Sequence, residues 1–484
     1  MLIGIDCASA FIPLDTIVGR TKDEPFAVKT VLGWTLCGGA VNENSEKRSN
    51  RIMMSDVLLS LEPDFKIEEP SESMSQDDMK FMSILETGVH KNDSNHIVMP
   101  LPFKERPRLP VNRQEVLMRF NALKKRFSSD NKYREDYHKF MSNMIEKKEA
   151  ELVQEEEHSG TPGQVWYLPH FGTYHPRKPD KIRVVFDCSA KYFGLSLNDH
   201  LLAGPDMMNK LAGILCRFRK ENVAVSCDIQ SMFNGFKVSK DDRNFLRFVW
   251  FDEDGKTADY RMTTHLFGAV SSPGCATYGL RKLAQDHKLI YPDAVRLIER
   301  NFYVDDGLIS VQNTESAKKL ISEVREICGS GNLRIHKFIS NDPRALEDLP
   351  ISERNEMMED IEFAEGYALG VKWHVLQDKF TFSTCSMRKP VTRRGILSTV
   401  ASIFDPLGWI APFTLRGKQI LQDTCKASVD WDDQLEVNIM ARWQQWLSDA
   451  NDLGTVQIDR CIRPRSFFKV ARTELHHFCD GSET

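Results

Sequence analysis

The sequence lacks the features of membrane proteins and of small disulfide-rich proteins. No apolar run reaches about 18 residues, the length that a membrane-spanning helix needs, and the first residues carry no basic stretch before an apolar one. The 11 cysteines include no CxxC pair and no even spacing. This pattern favours free thiols in a reducing compartment. We therefore expect no membrane partner and no disulfide framework.

A dominant charge of one sign is also missing, since the net charge is −5 over 484 residues, but the local balance is uneven. Residues 43–86 carry 11 acidic against 5 basic residues, whereas residues 161–250 carry 13 basic against 8 acidic, and residues 388–426 carry 7 against 2. The two basic segments favour a polyanionic partner and predict binding that weakens steeply with salt. Ordinary solvated surface is the alternative explanation.

The apolar patterns alternate between helical and strand spacing. Helices are predicted over 112–127, 131–152, 273–289, 314–328 and 431–450. Short strand patterns lie between them, such as AVSCDI (224–229) and the alternating RNFLRFVWF (243–251). The mixture of helices with a few antiparallel strands predicts an α+β fold.

The stretch NFYVDDGLIS (301–310) places two adjacent acids between the apolar runs of a predicted hairpin. Adjacent carboxylates repel each other, and divalent cations would relieve that repulsion, because Mg²⁺ prefers carboxylate oxygens together with substrate phosphates. A two-metal site for phosphoryl displacement needs a further carboxylate from a neighbouring strand. Asp228, at the end of the AVSCDI strand, is the best candidate. A solvated Asp-Asp-Gly turn is the alternative for Asp305 and Asp306.

YVDD (303–306) resembles the metal-site motif of reverse transcriptases, and four other segments follow the order of that family. They are similar to the first palm motif (VSCDIQSMFNGFKV, 225–238), the loop–helix motif that supports template and incoming base (HLFGAVSSPGCA, 265–276), the later palm motif with its lysine (LRIHKFISN, 333–341) and the primer-grip hairpin (ALGVKW, 368–373). The resemblance implies a right-hand polymerase fold with fingers, a palm built on an antiparallel sheet, and a helical thumb or connection.

Two longer segments, 181–211 and 393–422, resemble one branch of this family, the BEL/Pao-type LTR retrotransposon polyproteins. The second contains DPLG and belongs to a region usually named after a Pao peptidase (peptidase A17), although it shows no protease site. The resemblance covers nearly the whole chain. It implies an RNA-directed DNA polymerase in a cytoplasmic retroelement particle or in the nucleus. The implied partners are an RNA or DNA template–primer, deoxynucleotides and other parts of the polyprotein.

The resemblance assigns Asp228, Asp305 and Asp306 to a site for two Mg²⁺ or Mn²⁺ ions. Asp228 and Asp305 would hold both ions, and Asp306 would be the weaker contributor. Lys337 would stand near the leaving pyrophosphate as a positive charge or a proton donor. A surface lysine is the alternative at that position.

The resemblance also implies a nucleotide-binding set. Arg183 would contact the triphosphate, because a guanidinium binds phosphate bidentately and stays charged, and Lys181 would assist it; a solvated strand-edge charge is the alternative. Phe233 would lie beneath the sugar and exclude a ribose 2′-OH, with a plain core phenylalanine as the alternative. Gly268 would shape the template-side loop. Phe267 stands where retroviral enzymes carry glutamine, which leaves its contact with the base open.

The resemblance divides the chain into five parts. These are the end of a retropepsin-like protease region (1–40), an acidic linker with one helix near 76–87 (41–100), fingers and palm (101–385), a Pao-type thumb or connection (386–470) and the start of a truncated RNase H domain (471–484). The Asp-Thr/Ser-Gly motif of a protease is absent, because Ile17 follows Asp15 and Thr16. Protease activity is therefore not expected.

Three other functions are weighed against the polymerase. The main alternative is an inactive or domesticated retroelement fragment that only binds nucleic acid; the intact palm acids, Arg183 and Lys337 count against it. The missing protease motif disfavours an aspartic protease. The ordered palm motifs and the aromatic residue at 233 disfavour a phosphatase or nuclease that uses the same acids.

Overall fold

A computed structural model describes residues 13–18, 26–31, 33–37, 74–157, 163–175, 178–355, 361–362, 371–382, 389–403, 405–427 and 430–463. The chain divides into two compact units, an N-terminal unit (1–72) and a main unit (73–484). The described residues of the N-terminal unit form three strands, β1 (Asp15–Ile17), β2 (Phe26–Thr30) and β3 (Gly33–Cys37). They form an antiparallel sheet in chain order.

The described residues of the main unit contain helices and strands throughout, which confirms the α+β prediction. The helices are α1 (Gln76–Gly88), α2 (Arg113–Ser129), α3 (Asn131–Glu146), α4 (Leu197–His200), α5 (Leu211–Phe218), α6 (Ser272–Gln285), α7 (Pro292–Asn301), α8 (Thr314–Gly329), α9 (Arg393–Ser402), α10 (Ala411–Lys426) and α11 (Val437–Asn451). The strands are β4 (His90–Lys91), β5 (Ile97–Met99), β6 (Ala150–Leu152), β7 (His170–His175), β8 (Lys178–Phe186), β9 (Val223–Ile229), β10 (Lys237–Val238), β11 (Arg247–Phe251), β12 (Thr257–Met262), β13 (Phe302–Tyr303), β14 (Asp306–Val311), β15 (Ile335–Ser340), β16 (Ile361–Glu362), β17 (Val371–His374), β18 (Lys379–Phe382) and β19 (Ile458–Asp459). None of the described helices is long and apolar enough to cross a bilayer.

Four strands form an antiparallel sheet in the order β13-β14-β9-β15, which we call the palm sheet. Its central strand β9 reads VAVSCDI, and every residue except Asp228 is buried. Val223, Val225, Cys227 and Ile229 pack into a core shared with α6, α7 and α8, whereas the opposite face packs against α5 and the β17–β18 hairpin. Burial on both faces fixes the register, because a slip of one residue would move every side chain to the other face.

A second core lies apart from the palm sheet, where α2 and α3 pack on the β7–β8 hairpin and on the sheet β11-β12-β6. Its largest buried side chains are aromatic, including Trp166, Tyr133 and Tyr137. His170 is half-buried among them and is hydrogen-bonded at both ring nitrogens, to the hydroxyl of Tyr137 (2.5 Å) and the carbonyl of Val249 (2.9 Å). Burial lowers the pKa of His170 to about 4.

The last described part of the chain is mostly helical, as predicted. Helices α9, α10 and α11 share a core that contains Trp443 and Trp446, whose rings stack with centroids 4.7 Å apart. Gly417 lies where a Cβ atom would clash with Trp446 and Val400. The glycine therefore lets α10 approach its neighbours closely.

Several predicted boundaries differ from the structure. The helix predicted over 131–152 ends at Glu146; Lys148 has a φ of 55°, and residues 150–152 pair with β12 instead. The strand predicted over 243–251 begins at Arg247, after a 3₁₀ turn. Part of the predicted linker 41–100 is structured, because α1 places Phe81 and Leu85, and β5 places Met99, in the palm core.

Candidate active site

Three carboxylates meet at one end of the palm sheet. Asp306 is the direct cross-strand partner of Asp228, so both side chains lie on the same face of the sheet. Asp305 lies in the turn before β14, and its carbonyl accepts the N–H of Ile229 at 2.9 Å. The pairing of β9 with β14 therefore brings together acids that are 77 and 78 residues apart in the sequence.

The turn that carries the acids is strained. Tyr303 pairs with Asp306, which leaves Val304 and Asp305 as the two central residues. Val304 has a φ of 57°, a left-handed conformation that costs a β-branched residue about 1–3 kcal/mol. Glycine is usual at the first central position of such a tight hairpin. Because the Val304 side chain packs against the palm core, packing retains the strained turn and fixes the backbone of both acids.

Strand β15 brings two basic side chains to the same carboxylate. The ammonium group of Lys337 forms an ion pair with Asp228. His336 is the cross-strand partner of Asp228, and its Nε2 lies 3.5 Å from Asp228 Oδ2. The register shifts after His336, and Lys337 has a φ of 53°. A bulge of this kind re-aims a side chain, and here it directs Lys337 toward the acids.

Negative charge accumulates at this end of the sheet. Burial, followed by the negative charge of Asp228, raises the pKa of Asp305. Burial and the charges of Asp305 and Asp228 raise the pKa of Asp306 to about 7, and Lys337 opposes this rise. Neighbouring negative charges destabilise the ionised form of a carboxylate, and a nearby cation stabilises that ionised form. The site therefore favours positively charged ligands.

The donor set fits a divalent cation that prefers oxygen ligands. Mg²⁺ and Mn²⁺ bind carboxylates, and the strand pairing and the adjoining turn bring three carboxylates to this end of the sheet. Within the part of the chain that the structure describes, no three acidic, histidine or cysteine side chains already converge on one metal position. Because Lys337 is paired with Asp228, ion binding would require the carboxylates to rotate and Lys337 to move.

The structure places Lys181 and Arg183 on another element. Both are exposed on β8, where the buried residues Ile182, Val184 and Phe186 alternate with them. The two cations therefore lie on one face of the β7–β8 hairpin. Neither contacts the palm carboxylates within the described residues.

The three other predicted nucleotide-binding residues come together at the end of the palm. Phe233 lies in a 3₁₀ turn after β9, and its ring meets the ring of Phe267 at a centroid distance of 5.8 Å and an angle of 62°. Gly268 has a φ of 123°, and a Cβ atom there would clash with the carbonyl oxygen of Phe186. This clash explains why position 268 requires glycine, which the sequence pattern alone did not show.

Two residues near the site were not singled out from the sequence. His336 contacts Asp228 only through the pairing of β15 with β9. The side chain of Asn198 on α4 forms hydrogen bonds with the Gly268 carbonyl and the Val270 N–H in the loop that follows Phe267. No local signal identifies either residue, because each contact joins segments about 70–110 residues apart.

A cavity of about 710 Å³ lies away from these residues, between α2, α3 and the β11–β12 turn. Its lining includes Phe127, His138, Trp250 and Phe251 but none of the predicted site residues. The candidate active site lies instead at the end of the palm sheet, where Asp228, Asp305 and Asp306 are partly exposed.

The end of the chain matches a known family. Residues 392–484 match a family model described as "Pao retrotransposon-like RNaseH-like domain". We call residues 392–484 the Pao-like segment, because they are similar to that family. This match confirms the recognition of a BEL/Pao-type fragment, which rested on residues 181–211 and 393–422. The described residues of the Pao-like segment form α9, α10, α11 and β19, and the predicted start of an RNase H domain (471–484) lies outside the described residues.

One solved structure is similar to the chain over most of its length. It is a foamy viral protease–reverse transcriptase in complex with double-stranded DNA, which aligns with 92% of this chain and 72% of its own at 13% identity and a TM-score of 0.48. No curated protein matches the chain significantly.

The Pao-like segment is joined to the palm through Arg460. This guanidinium is fully buried and pairs with Asp378 after the β17 strand. It also donates hydrogen bonds to the carbonyls of Phe218, Glu221 and Asn222. Arg460 follows β19 directly. Its hydrogen bonds therefore connect β19 to the end of α5 and to the residues just before β9.

The basic residues of 388–426 are only partly available on the surface of the Pao-like segment. Arg393 stacks on a tryptophan ring at 4.3 Å, and Arg394 pairs with Asp432 at 2.8 Å. Arg416 and Lys418 are exposed on α10. The charge surplus counted from the sequence therefore overstates the number of unengaged cations.

Proposed function

We propose that the chain is an RNA-directed DNA polymerase of a retroelement, which adds deoxynucleotides to a primer 3′-OH. The observation that carries the proposal is the pairing of Asp306 with Asp228, with Asp305 at the adjoining turn. Three carboxylates at one end of a sheet are a suitable donor set for two-metal phosphoryl transfer. The Pao retrotransposon-like segment at 392–484 supports the retroelement origin.

The palm acids have distinct roles in this proposal. Asp228 and Asp305 would hold two Mg²⁺ or Mn²⁺ ions, with Asp306 as the weaker contributor, and the ions would supply charge stabilisation for the attacking and leaving oxygens. The strained turn at Val304 holds the two adjacent acids in place. Lys337 serves first as the counter-ion of Asp228, and after release it would stand beside the leaving pyrophosphate.

The remaining residues act on the nucleotide and the duplex. Arg183, with Lys181 on the same exposed face of β8, would bind the triphosphate, because a guanidinium matches phosphate geometry. Phe233 would lie beneath the sugar and exclude a 2′-OH. Exposed cations such as Arg416 would contact duplex phosphates, so binding should weaken as salt rises.

Primer extension tests the proposal. The full 1–484 chain receives a poly(rA) template, an oligo(dT) primer, dTTP and Mg²⁺ or Mn²⁺. We expect extension by the wild type and a loss of at least about 1,000-fold in the Asp305→Asn/Asp306→Asn variant, because the metal-site charge is removed. Glu253→Gln/Asp254→Asn is the matched control, since it neutralises an exposed adjacent acidic pair in the β11–β12 turn.

The outcomes separate the polymerase from its main rival. Extension by the wild type and the control, but not by the palm variant, supports the proposal. Absent extension by all three proteins, with salt-sensitive binding of the primer–template retained, would favour a fragment that only binds nucleic acid. Equal extension by the palm variant and the wild type would place the chemistry elsewhere.

A further inference from the structure

The loop before α6 contacts the turn that follows β9. Phe233 is half-buried against the palm core, and its ring meets Phe267 at an edge-to-face angle of 62°. Phe267 itself is 61% exposed. An exposed phenylalanine contributes little to a core. The main structural effect of an aromatic side chain at position 267 is therefore its contact with Phe233.

The backbone next to Phe267 is held from another part of the chain. Asn198 Nδ2 donates to the Gly268 carbonyl at 3.0 Å, and Asn198 Oδ1 accepts the N–H of Val270 at 3.0 Å. The same side chain also donates to Ser189 Oγ. A single amide therefore holds the backbone on both sides of Ala269, directly after Gly268, whose φ of 123° only glycine adopts readily.

The backbone of the Phe233 turn is also tightly confined. Ser231 has a φ of 48°, and Gly235 packs so closely on Leu333 that a Cβ atom would clash with it. The backbone position is therefore set by the fold. Phe233 is half-buried, so the core restrains its ring only in part, and the ring of Phe267 also contacts it.

We propose that Phe267, held in place through Asn198, is a positioning residue that keeps the Phe233 ring where it selects deoxyribose over ribose. This inference rests on the proposed polymerase function and deepens it. The Phe233 ring can exclude a 2′-OH only if it keeps its side-chain conformation. The contact with the Phe267 ring restrains that conformation. Replacing that partner by a flexible side chain should admit ribonucleotides without touching the metal site.

The test compares kcat/KM for dTTP and for UTP on poly(rA)·oligo(dT) with the full chain. Phe267→Leu should lower the dTTP/UTP ratio by roughly threefold to tenfold, the value of an edge-to-face aromatic pair. Phe267→Tyr retains the ring and should retain the ratio. Asn198→Ala should lower the ratio in the same direction as Phe267→Leu. Phe233→Val should lower it further, and adding Phe267→Leu to Phe233→Val should produce no additional loss.

Two results would overturn the inference. One is an unchanged ratio in Phe267→Leu while its extension with dTTP persists. The other is an equal drop for Phe267→Leu in the wild-type and Phe233→Val backgrounds, which would mean that the two rings act independently. Absence of extension by the wild type with dTTP would instead overturn the proposed function, and this inference with it.

Discussion

The buried ion pair between Arg460 and Asp378 gives a stability prediction that the structure makes quantitative. Asp378→Asn is the chosen change. Asp378 has a φ of 54°, and asparagine tolerates this left-handed conformation as well as aspartate does. Asparagine also keeps a side-chain oxygen for the indole N–H of Trp373. The substitution therefore removes a charge with little disturbance of the backbone.

The expected magnitude follows from burial. The side chain of Arg460 is 0% exposed and that of Asp378 is 7% exposed. Because arginine stays protonated, the variant leaves a buried charge without its counter-ion, a loss of about 3–5 kcal/mol in comparable pairs. Arg460 keeps three carbonyl acceptors, which places the expected loss near the lower limit, at about 3 kcal/mol.

Native-state hydrogen exchange measures this loss locally, which suits a chain with more than one unit. The amides of Lys379–Phe382 should exchange with an opening free energy lower by that amount. Asp432→Asn is the matched control, because its Arg394 partner has the same chemistry while the two side chains are 63% and 72% exposed. That change should cost less than about 1 kcal/mol at α9.

A loss at β18 no larger than the effect of Asp432→Asn at α9 would refute the reasoning. It would mean that the three carbonyl groups alone compensate the Arg460 charge, and that the carboxylate is dispensable. A loss confined to Asp378→Asn would support the view that this ion pair ties the Pao-like segment to the palm.

Two further predictions concern the loop at Gly268 and the core around His170. Gly268→Ala should destabilise the protein by about 1–3 kcal/mol in urea unfolding and reduce primer extension, because a Cβ atom at φ 123° would meet the Phe186 carbonyl; a wild-type urea midpoint would contradict this. His170 has a folded-state pKa of about 4, below its unfolded value near 6.5. The unfolded state therefore binds more protons between these values, and stability should fall by up to about 3 kcal/mol as pH drops from 7 to 4. His170→Gln should flatten this part of the stability profile, and an equally steep profile in the variant would count against the assignment.

Much of the palm could be predicted from local pattern. The β9 strand, the hairpin around 301–310 and the helix 314–329 follow from alternation and helical spacing, because both faces of β9 and one face of α8 are buried. The presence of acids at the ends of two neighbouring strands was also predicted. Their roles as metal ligands remain a prediction.

Other boundaries could not be predicted, because tertiary pairing overrides local preference. The apolar spacing through 131–152 predicts one continuous helix. Residues 150–152 instead form backbone hydrogen bonds with β12, and this pairing ends the helix early. Helix α7 (Pro292–Asn301) was missed although its apolar residues have helical spacing, since it is short and lies between two stronger signals.

The sequence by itself determined which residue types are present and in what order. It supplied the three acids at the predicted strand and hairpin, and the DPLG region of the Pao-like segment, whereas the pairing of β9 with β14 placed Asp228 and Asp306 on one face. Only the tertiary structure decided which distant groups touch, such as Lys337 with Asp228, Asn198 with the Gly268 loop, and Phe267 with Phe233. Periodicity is encoded by neighbours a few residues apart, whereas these contacts depend on how whole elements pack together.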